Sequence, residues 1–198
     1  MTLLQLANLI LALDQHPIRR IRLAKLIYFT HKELIRKGIM QPDDIKYLRM
    51  PLGPTPIGLV SLTEDSDGEI YSTKVPTPIL TYESEEFSTK LTLQAVRQKA
   101  LKASQIVEKF LPILNKKTTS ELIKLSQRDP SWRTHHNGEH FTITSNDLKN
   151  PLPRFQLKIN IVRHLPHNEA EAIQAALLRG MKPDIIEEST DLEYPDEN

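Results

Sequence analysis

The feature that most constrains the fold is a cluster of prolines and glycines, the sequence MPLGPTPIG at residues 50–58. Its three prolines fix φ near about −65° and lack the amide donor that a helix interior or a central strand needs, so regular structure must end beside the cluster. Residues 45–50 before it suit a short strand. Thr55 followed by Pro56 has the residue types of a helix N-cap and first turn, which predicts a short helix through Leu62.

Apolar residues recur at three- and four-residue spacing over much of the chain, which predicts amphipathic helices. The expected helices cover residues 2–14, 17–38, 92–114 and 118–129. Thr2 is expected to cap the first of them, and Thr118 and Glu121 to form a capping box at the start of the last. Two segments, 69–73 and 79–82, are predicted to pair as a hairpin, and 141–144 to form a short strand. The expected fold class is therefore α+β, mainly helical, with helices around a small antiparallel sheet and a C-terminal strand–helix extension.

The last fifty residues differ from the rest of the chain. Phe155, Leu157, Ile159 and Ile161 alternate with polar residues, which predicts a half-buried strand, and a helix pattern follows it. These elements make 149–183 a strand–helix extension and leave 184–198 as an acidic, flexible tail. All 26 Lys and Arg residues but only 18 of the 25 Asp and Glu residues precede the tail, so residues 1–183 carry a formal charge of +8.

Composition limits the compartment and the chemistry. The 198 residues include no cysteine, which excludes disulfides and thiolate metal sites and fits a cytoplasmic protein. No stretch approaches the roughly 20 apolar residues that span a bilayer, so no membrane partner is expected. The apolar N-terminus has no preceding basic residue and no small-residue cleavage site, and we interpret it as a core helix.

The strongest resemblance to a catalytic motif is His136-Asn-Gly-Glu139-His140, with His135 beside it. It fits the H-x-x-E-H pattern of one class of zinc protease, which needs both histidines on one helical face. Asn137-Gly138 is a turn signal, however, so we expect a polar hairpin loop. A metal-dependent hydrolase stays an alternative, although no nucleophile elbow or phosphate-binding loop accompanies the motif.

The alternative that ranks ahead of this hydrolase is nucleic-acid binding by the basic helix at 19–37. The charge of +8 on the body would support non-specific attraction to phosphate. The basic residues are spread around the predicted helix instead of forming one row, and no helix-turn-helix, aromatic RNA motif or zinc finger accompanies them. A regulatory protein that associates with nucleic acid is therefore the runner-up hypothesis.

Three separated segments together resemble the Panacea domain, the phage-associated family of SocA-like antitoxins. They are KLIYF at 25–29, MPLGPTP at 50–56 and LIKLSQRDPSW at 122–132, similar to the family's K-L-L-Y-F-A, M-x-Y/F-G-P-V-P and L-S-H…W signatures in the same order. The resemblance covers about residues 4–145 and makes 1–148 the family domain. The matching residues are Lys25, Tyr28, Phe29, Met50, Pro51, Gly53, Pro54, Pro56, Leu125, Ser126 and Trp132.

The resemblance implies a protein-binding antitoxin and not an enzyme, with no cofactor or metal. Such a module neutralises a toxin by binding it, or acts as an adaptor that delivers the toxin to a protease machine. Two positions depart from the family pattern, since Leu52 replaces an aromatic residue and Gln127 replaces a histidine. Partner specificity is expected in the C-terminal region, where the candidate contact residues are Phe155, Leu157, Ile159, Ile161, Ile173, Leu177, Ile186 and Tyr194. The oligomeric state and the identity of the toxin cannot be read from the sequence.

Overall fold

The computed structural model describes residues 1–76, 83–150 and 152. These residues form helices and short strands in a mainly helical α+β arrangement, as the sequence predicts. The helices are α1 (Leu3–Asp14), α2 (Arg20–Arg36), α3 (Leu93–Lys99), α4 (Leu101–Asn115), α5 (Thr119–Ser126), α6 (Pro130–Thr134) and α7 (Ser145–Lys149), with a 3-10 turn at Pro42–Asp44. The strands are β1 (Ile18–Arg19), β2 (Tyr47–Leu48), β3 (Thr55–Pro56), β4 (Ile70–Pro76), β5 (Glu83–Thr89) and β6 (His140–Phe141).

Helix α2 lies at the centre of the core. Every residue from Leu23 to Leu34 except Glu33 is buried, a pattern typical of a helix that is covered on all sides. Helices α1, α4 and α5 and strands β3 and β5 pack around it. Its position explains why polar side chains on α2 must find partners inside the protein.

Two three-stranded antiparallel sheets flank this helix, with strand orders β1–β5–β4 and β3–β2–β6. In the second sheet Tyr47 lies opposite both Pro56 and Phe141, and all three side chains are buried. Because side chains alternate across a strand, the neighbouring Leu48 and its partner His140 lie on the outer face. Strands β2 and β3 therefore form a small hairpin whose tip is the proline–glycine segment.

The predicted helix after Thr55 is wrong. Thr55 and Pro56 pair with β2 as an edge strand, and Gly58 then turns the chain with φ of +90°. Strand pairing outweighed the N-cap signal at Thr55. Pro56 is compatible with an edge strand because it lacks an amide hydrogen, and an edge strand has backbone positions that need no donor.

Two other helix boundaries differ from the prediction. Helix α2 begins at Arg20 and not at Pro17, because Ile18 and Arg19 pair with β5. The long helix predicted over 92–114 is two helices, since Ala100 has φ of −150° and ψ of 55°, which interrupts the helix. The predicted caps at Thr2 and Thr118 are confirmed, each as a capping box.

The predicted hairpin is confirmed in its first strand and shifted in its second, which is β5 at Glu83–Thr89. The strand predicted at 79–82 lies outside the described residues. So do the strand–helix extension and the acidic tail, apart from positions 149, 150 and 152, and the domain boundaries drawn there stay predictions. None of the helices in the described ranges is both long and apolar enough to cross a bilayer.

Candidate binding site at the proline–glycine loop

Residues 49–54 join β2 to β3, and we call them the proline–glycine loop. This loop is where the three segments that resemble the Panacea domain meet. Helix α2 lies beneath it, the end of α5 and the start of α6 lie beside it, and each element contributes a hydrogen bond to a loop carbonyl. The residues singled out from the sequence are therefore brought together by the fold.

Lys25 holds the loop from below. Its side chain is only 1% exposed, and its Nζ donates to the Pro54 carbonyl oxygen at 2.6 Å. Gly53 has φ of +87°, and a Cβ at that position would lie 2.5 Å from the Ser126 Oγ and 3.0 Å from the Lys25 Nζ. Glycine is thus required both by the backbone conformation and by the close approach of the buried side chains.

The electrostatics of Lys25 are unusual for a buried lysine. Among the described residues it makes no ion pair, and a neutral carbonyl is its hydrogen-bond acceptor. Burial lowers its pKa from 10.5 to about 7, because removing an ammonium from water penalises its charged form. A buried group with a perturbed pKa is more frequent at functional sites than elsewhere, although structural networks also produce such shifts.

One turn further along α2, Tyr28 and Lys32 share a carboxylate. The Tyr28 hydroxyl donates to Asp129 Oδ2 at 2.5 Å and the Lys32 Nζ donates to the same oxygen at 2.7 Å. Asn150 Nδ2 donates to the other oxygen at 2.8 Å. Burial, followed by the Asp129 charge, raises the pKa of Tyr28, whereas burial lowers the pKa of Lys32 against the opposing pull of Asp129.

This network fixes the segment after α5 to the central helix. Asp129 also precedes Pro130, the first residue of α6, so its side chain sets the position at which the chain enters that helix. Because the Lys32 and Asp129 side chains are both ionised and buried, removing either one would leave the charge of the other unpaired in the core.

Two side chains hold the loop from the side. Trp132 Nε1 donates to the Met50 carbonyl at 3.0 Å, and Gln127 Nε2 donates to the Pro51 carbonyl at 2.7 Å. Gln127 stands where the family pattern has a histidine, and here its amide serves as a loop anchor.

Arg49 begins the loop and packs on Trp132. The guanidinium carbon lies 4.1 Å from the centre of the indole ring, a cation–π contact. Its Nη1 donates to Asn137 Oδ1, while its Nε is buried and has no hydrogen-bond partner among the described residues.

The outer side of this region is apolar. The described residues include seven large hydrophobic side chains that are exposed, and four of them fall within residues 50–60. These four are Met50 at 40%, Leu52 at 48%, Ile57 at 37% and Val60 at 71% exposure. A concentration of exposed large apolar side chains in one segment marks that segment as a candidate interaction site.

Sequence reasoning placed some of these side chains wrongly and missed others. Lys25 and Lys32 were expected on the solvent side of the basic helix, yet both are buried. Their spacing with Tyr28, at positions i, i+3 and i+7, places all three on one helical face and is the signal that could have found the network. The contributions of Arg49, Asp129 and Gln127 depend on long-range contacts, which no local pattern predicts.

The remaining family residues are placed as follows. Phe29 and Pro56 are buried, Leu125 is partly buried and Pro51 is exposed. The eight partner-contact candidates proposed for the C-terminal region all lie outside the described residues, and they stay predictions: Phe155, Leu157, Ile159, Ile161, Ile173, Leu177, Ile186 and Tyr194.

The histidine motif forms a loop and not a metal-binding helix. Gly138 has φ of +84°, and His140 belongs to strand β6. His136 donates its backbone amide to Glu139 Oε2, so the carboxylate closes the turn. Within residues 1–76, 83–150 and 152, no three His, Cys, Asp or Glu side chains are grouped so that they could hold a metal ion.

The basic side chains of α2 and its flanks are engaged within the protein. Arg19 and Arg20 pair with Glu86 and Glu85 of β5. Arg22 donates to the carbonyl oxygens of Asn115 and Lys117 at the end of α4. Arg36 donates to the carbonyl oxygens of Leu148 and Asn150. The Lys37 Nζ lies 3.8 Å from a Glu33 carboxylate oxygen. With Lys25 and Lys32 buried as well, this helix offers little free positive surface to a phosphate backbone.

Comparisons with protein-family models, with curated proteins and with solved structures found no match to this chain.

Proposed function

We propose that this chain is an antitoxin-like binding module that neutralises a toxic protein in the cytoplasm, without being an enzyme. It does so by covering the toxin directly or by delivering it to a protease. The observation that supports this proposal most is the proline–glycine loop, which the buried Lys25 and the partly buried Trp132 hold from two sides while the Met50 and Leu52 side chains are exposed.

The physical argument is pre-organisation. A loop that is already held in one conformation loses little entropy when a partner covers it, so more of the contact energy appears as affinity. Pro51 and Pro54 restrict the free loop further. Exposed Met beside Trp and Arg gives three of the residue types that are enriched at the centres of protein interfaces.

The experiment is capture of the toxin followed by a growth assay. The intact protein is purified with its bound partners from the native lysate, and each stoichiometric partner is expressed alone and together with the chain. We expect one partner that stops growth alone and is tolerated in the presence of the chain. Absence of any toxic partner among the recovered proteins would contradict the proposal.

A matched pair of variants links this function to the loop. Leu52→Asp places a charge on the exposed loop, and Leu101→Asp makes the same change at another exposed leucine, at the start of α4. We expect loss of growth rescue with Leu52→Asp only. Measurement of the toxin level then separates the two mechanisms, since a covered toxin stays abundant and a delivered toxin disappears when the protease is present.

Binding to nucleic acid is the competing function, favoured by the formal charge of +8 on residues 1–183. If the lysate yields only nucleic acid, and this is lost steeply as salt rises, this competing function replaces the antitoxin.

A further inference from the structure

We propose that Arg49, Met50, Leu52 and Trp132 form the contact surface for an acidic segment of the partner, in which a carboxylate lies next to an apolar side chain. This inference rests on the proposed function and assigns the partner chemistry of the same site. We call these four residues the loop patch.

The case for a carboxylate comes from Arg49. Its guanidinium is charged at all physiological pH values and carries five N–H donors. Asn137 accepts one of them, and Arg49 makes no ion pair within the described part of the chain. The guanidinium carbon lies 4.1 Å from the centre of the Trp132 ring, so the indole and Asn137 hold the side chain in one place, and its planar fork of donors suits the bidentate contact that carboxylates make.

The case for an apolar neighbour comes from Met50 and Leu52. Their side chains are 40% and 48% exposed, and the hydrogen bonds from Trp132 and Gln127 hold the backbone from which they extend. Burial of these two side chains under a partner would contribute hydrophobic stabilisation at a pre-formed surface. A segment that offers both groups together satisfies the guanidinium and covers the apolar tip.

Charge complementarity also favours an acidic partner. The exposed Lys46 lies immediately before β2 of the same small sheet and adds a positive charge beside the hairpin. The adjoining turn holds one carboxylate, Glu139, which accepts a hydrogen bond from the His136 amide. Residues 1–183 carry a formal charge of +8, against −7 on residues 184–198, and a positively charged surface speeds the encounter with acidic segments.

A selection experiment with a fluorescence readout tests the patch. Random twelve-residue peptides displayed on phage are selected against the intact protein, and enriched peptides are synthesised. Trp132 is the only tryptophan in the chain, so its emission reports directly on ligands that reach the patch. We expect enriched peptides with Asp or Glu beside an apolar residue, and a saturable change in Trp132 emission on titration.

Variants then assign the two halves of the contact. Arg49→Gln and Leu52→Asp are each expected to weaken the selected peptide at least about tenfold, as central interface residues do. The matched controls Arg97→Gln and Leu101→Asp remove a similar charge or add a similar carboxylate at exposed positions outside the patch, and are expected to change affinity less than about twofold. Far-UV circular dichroism checks that each variant is folded.

Three results would overturn the inference. These are enriched peptides without acidic residues, binding that survives both patch variants in folded protein, and equal competition by a single-stranded oligonucleotide, which would indicate non-specific attraction to negative charge. The two proposals fail separately. A toxin that the Arg49→Gln and Leu52→Asp variants neutralise as well as the wild type would refute the patch and leave the proposed function standing. Absence of any toxic partner would refute the proposed function itself.

Discussion

The buried Lys25 predicts an unusual dependence of stability on pH. Its pKa is about 7 in the folded protein and near 10.5 in the unfolded chain. Between these values the unfolded state binds one proton more than the folded state, so the free energy of unfolding rises with pH. Below about pH 7 both states are protonated and the contribution is constant; as pH falls from 10.5 towards 7, stability is lost.

The magnitude follows from the size of the shift. One pKa unit corresponds to about 1.36 kcal/mol, and for these two pKa values the free energy of unfolding gains about 2 kcal/mol between pH 7 and pH 9. The Tyr28 and Tyr47 hydroxyls, whose pKa values burial raises, titrate above this range, so measurements stop at pH 9.

The assay is urea unfolding at half-unit pH steps for the wild type, Lys25→Met and Lys46→Met. Met has a similar length without a charge, and Lys46 is an exposed lysine on the flank of the same hairpin. We expect Lys25→Met to remove about 2 kcal/mol of the rise between pH 7 and 9 and Lys46→Met to preserve it. The slope is the readout, because Lys25→Met also leaves the Pro54 carbonyl without its donor at every pH. Equal slopes in wild type and Lys25→Met would refute the argument.

Three further predictions concern the loop and helix α2 beneath it, where His31 is buried with its ring nitrogens 2.9 Å from the Tyr47 hydroxyl and the Gln41 carbonyl oxygen. Asp129→Asn leaves the buried Lys32 ammonium without its counterion and is expected to lower the free energy of unfolding in urea by about 3–5 kcal/mol. Most of this loss should be recovered in the double variant with Lys32→Met. An unchanged free energy of unfolding in Asp129→Asn would mean that the pair is not buried. Gly53→Ala is expected to lower the free energy of unfolding by at least about 1 kcal/mol more than Gly38→Ala. Both glycines have positive φ, but only at Gly53 would a Cβ lie against neighbouring side chains. Equal losses of free energy in the two variants would contradict the close packing at Gly53. Burial lowers the pKa of His31 to about 4, so the unfolded chain takes up a proton first as pH falls from about 6.5. The free energy of unfolding should therefore drop by up to about 3 kcal/mol between pH 6.5 and pH 4. A His31→Gln variant whose free energy of unfolding falls equally over this range would refute the assignment.

Local patterns predicted the parts of the fold that local interactions decide. The caps at Thr2 and Thr118 were found because a capping box joins residues three positions apart. The strand at Thr55 and Pro56 was missed because its pairing with β2 is decided by the register of the hairpin and not by the N-cap signal. The break in the helix at Ala100 was not predicted because neither proline nor glycine, the residues that usually signal a helix end, occurs there.

The resemblance marked part of the candidate site as family-motif residues, whereas the partner contacts were predicted in the C-terminal region and the chemistry of the site was not predicted. The resemblance selected Lys25, Gly53, Ser126 and Trp132, which the fold does bring to one loop. The burial of Lys25 was not predicted, because a lysine in a basic helix is ordinarily solvent-exposed. Its burial depends on α2 being covered on every side, which is a property of the whole tertiary structure.

The central claim is that the toxic partner covers the loop patch, and hydroxyl-radical footprinting of the purified complex tests it most directly. Exposed Met and Trp side chains are oxidised readily, and Met40, which is 1% exposed, serves as an internal control. The account predicts that partner binding sharply reduces oxidation of Met50 and Trp132 and leaves Met40 unchanged. Unchanged oxidation of Met50 and Trp132 in a saturated complex would place the interface elsewhere and contradict the account.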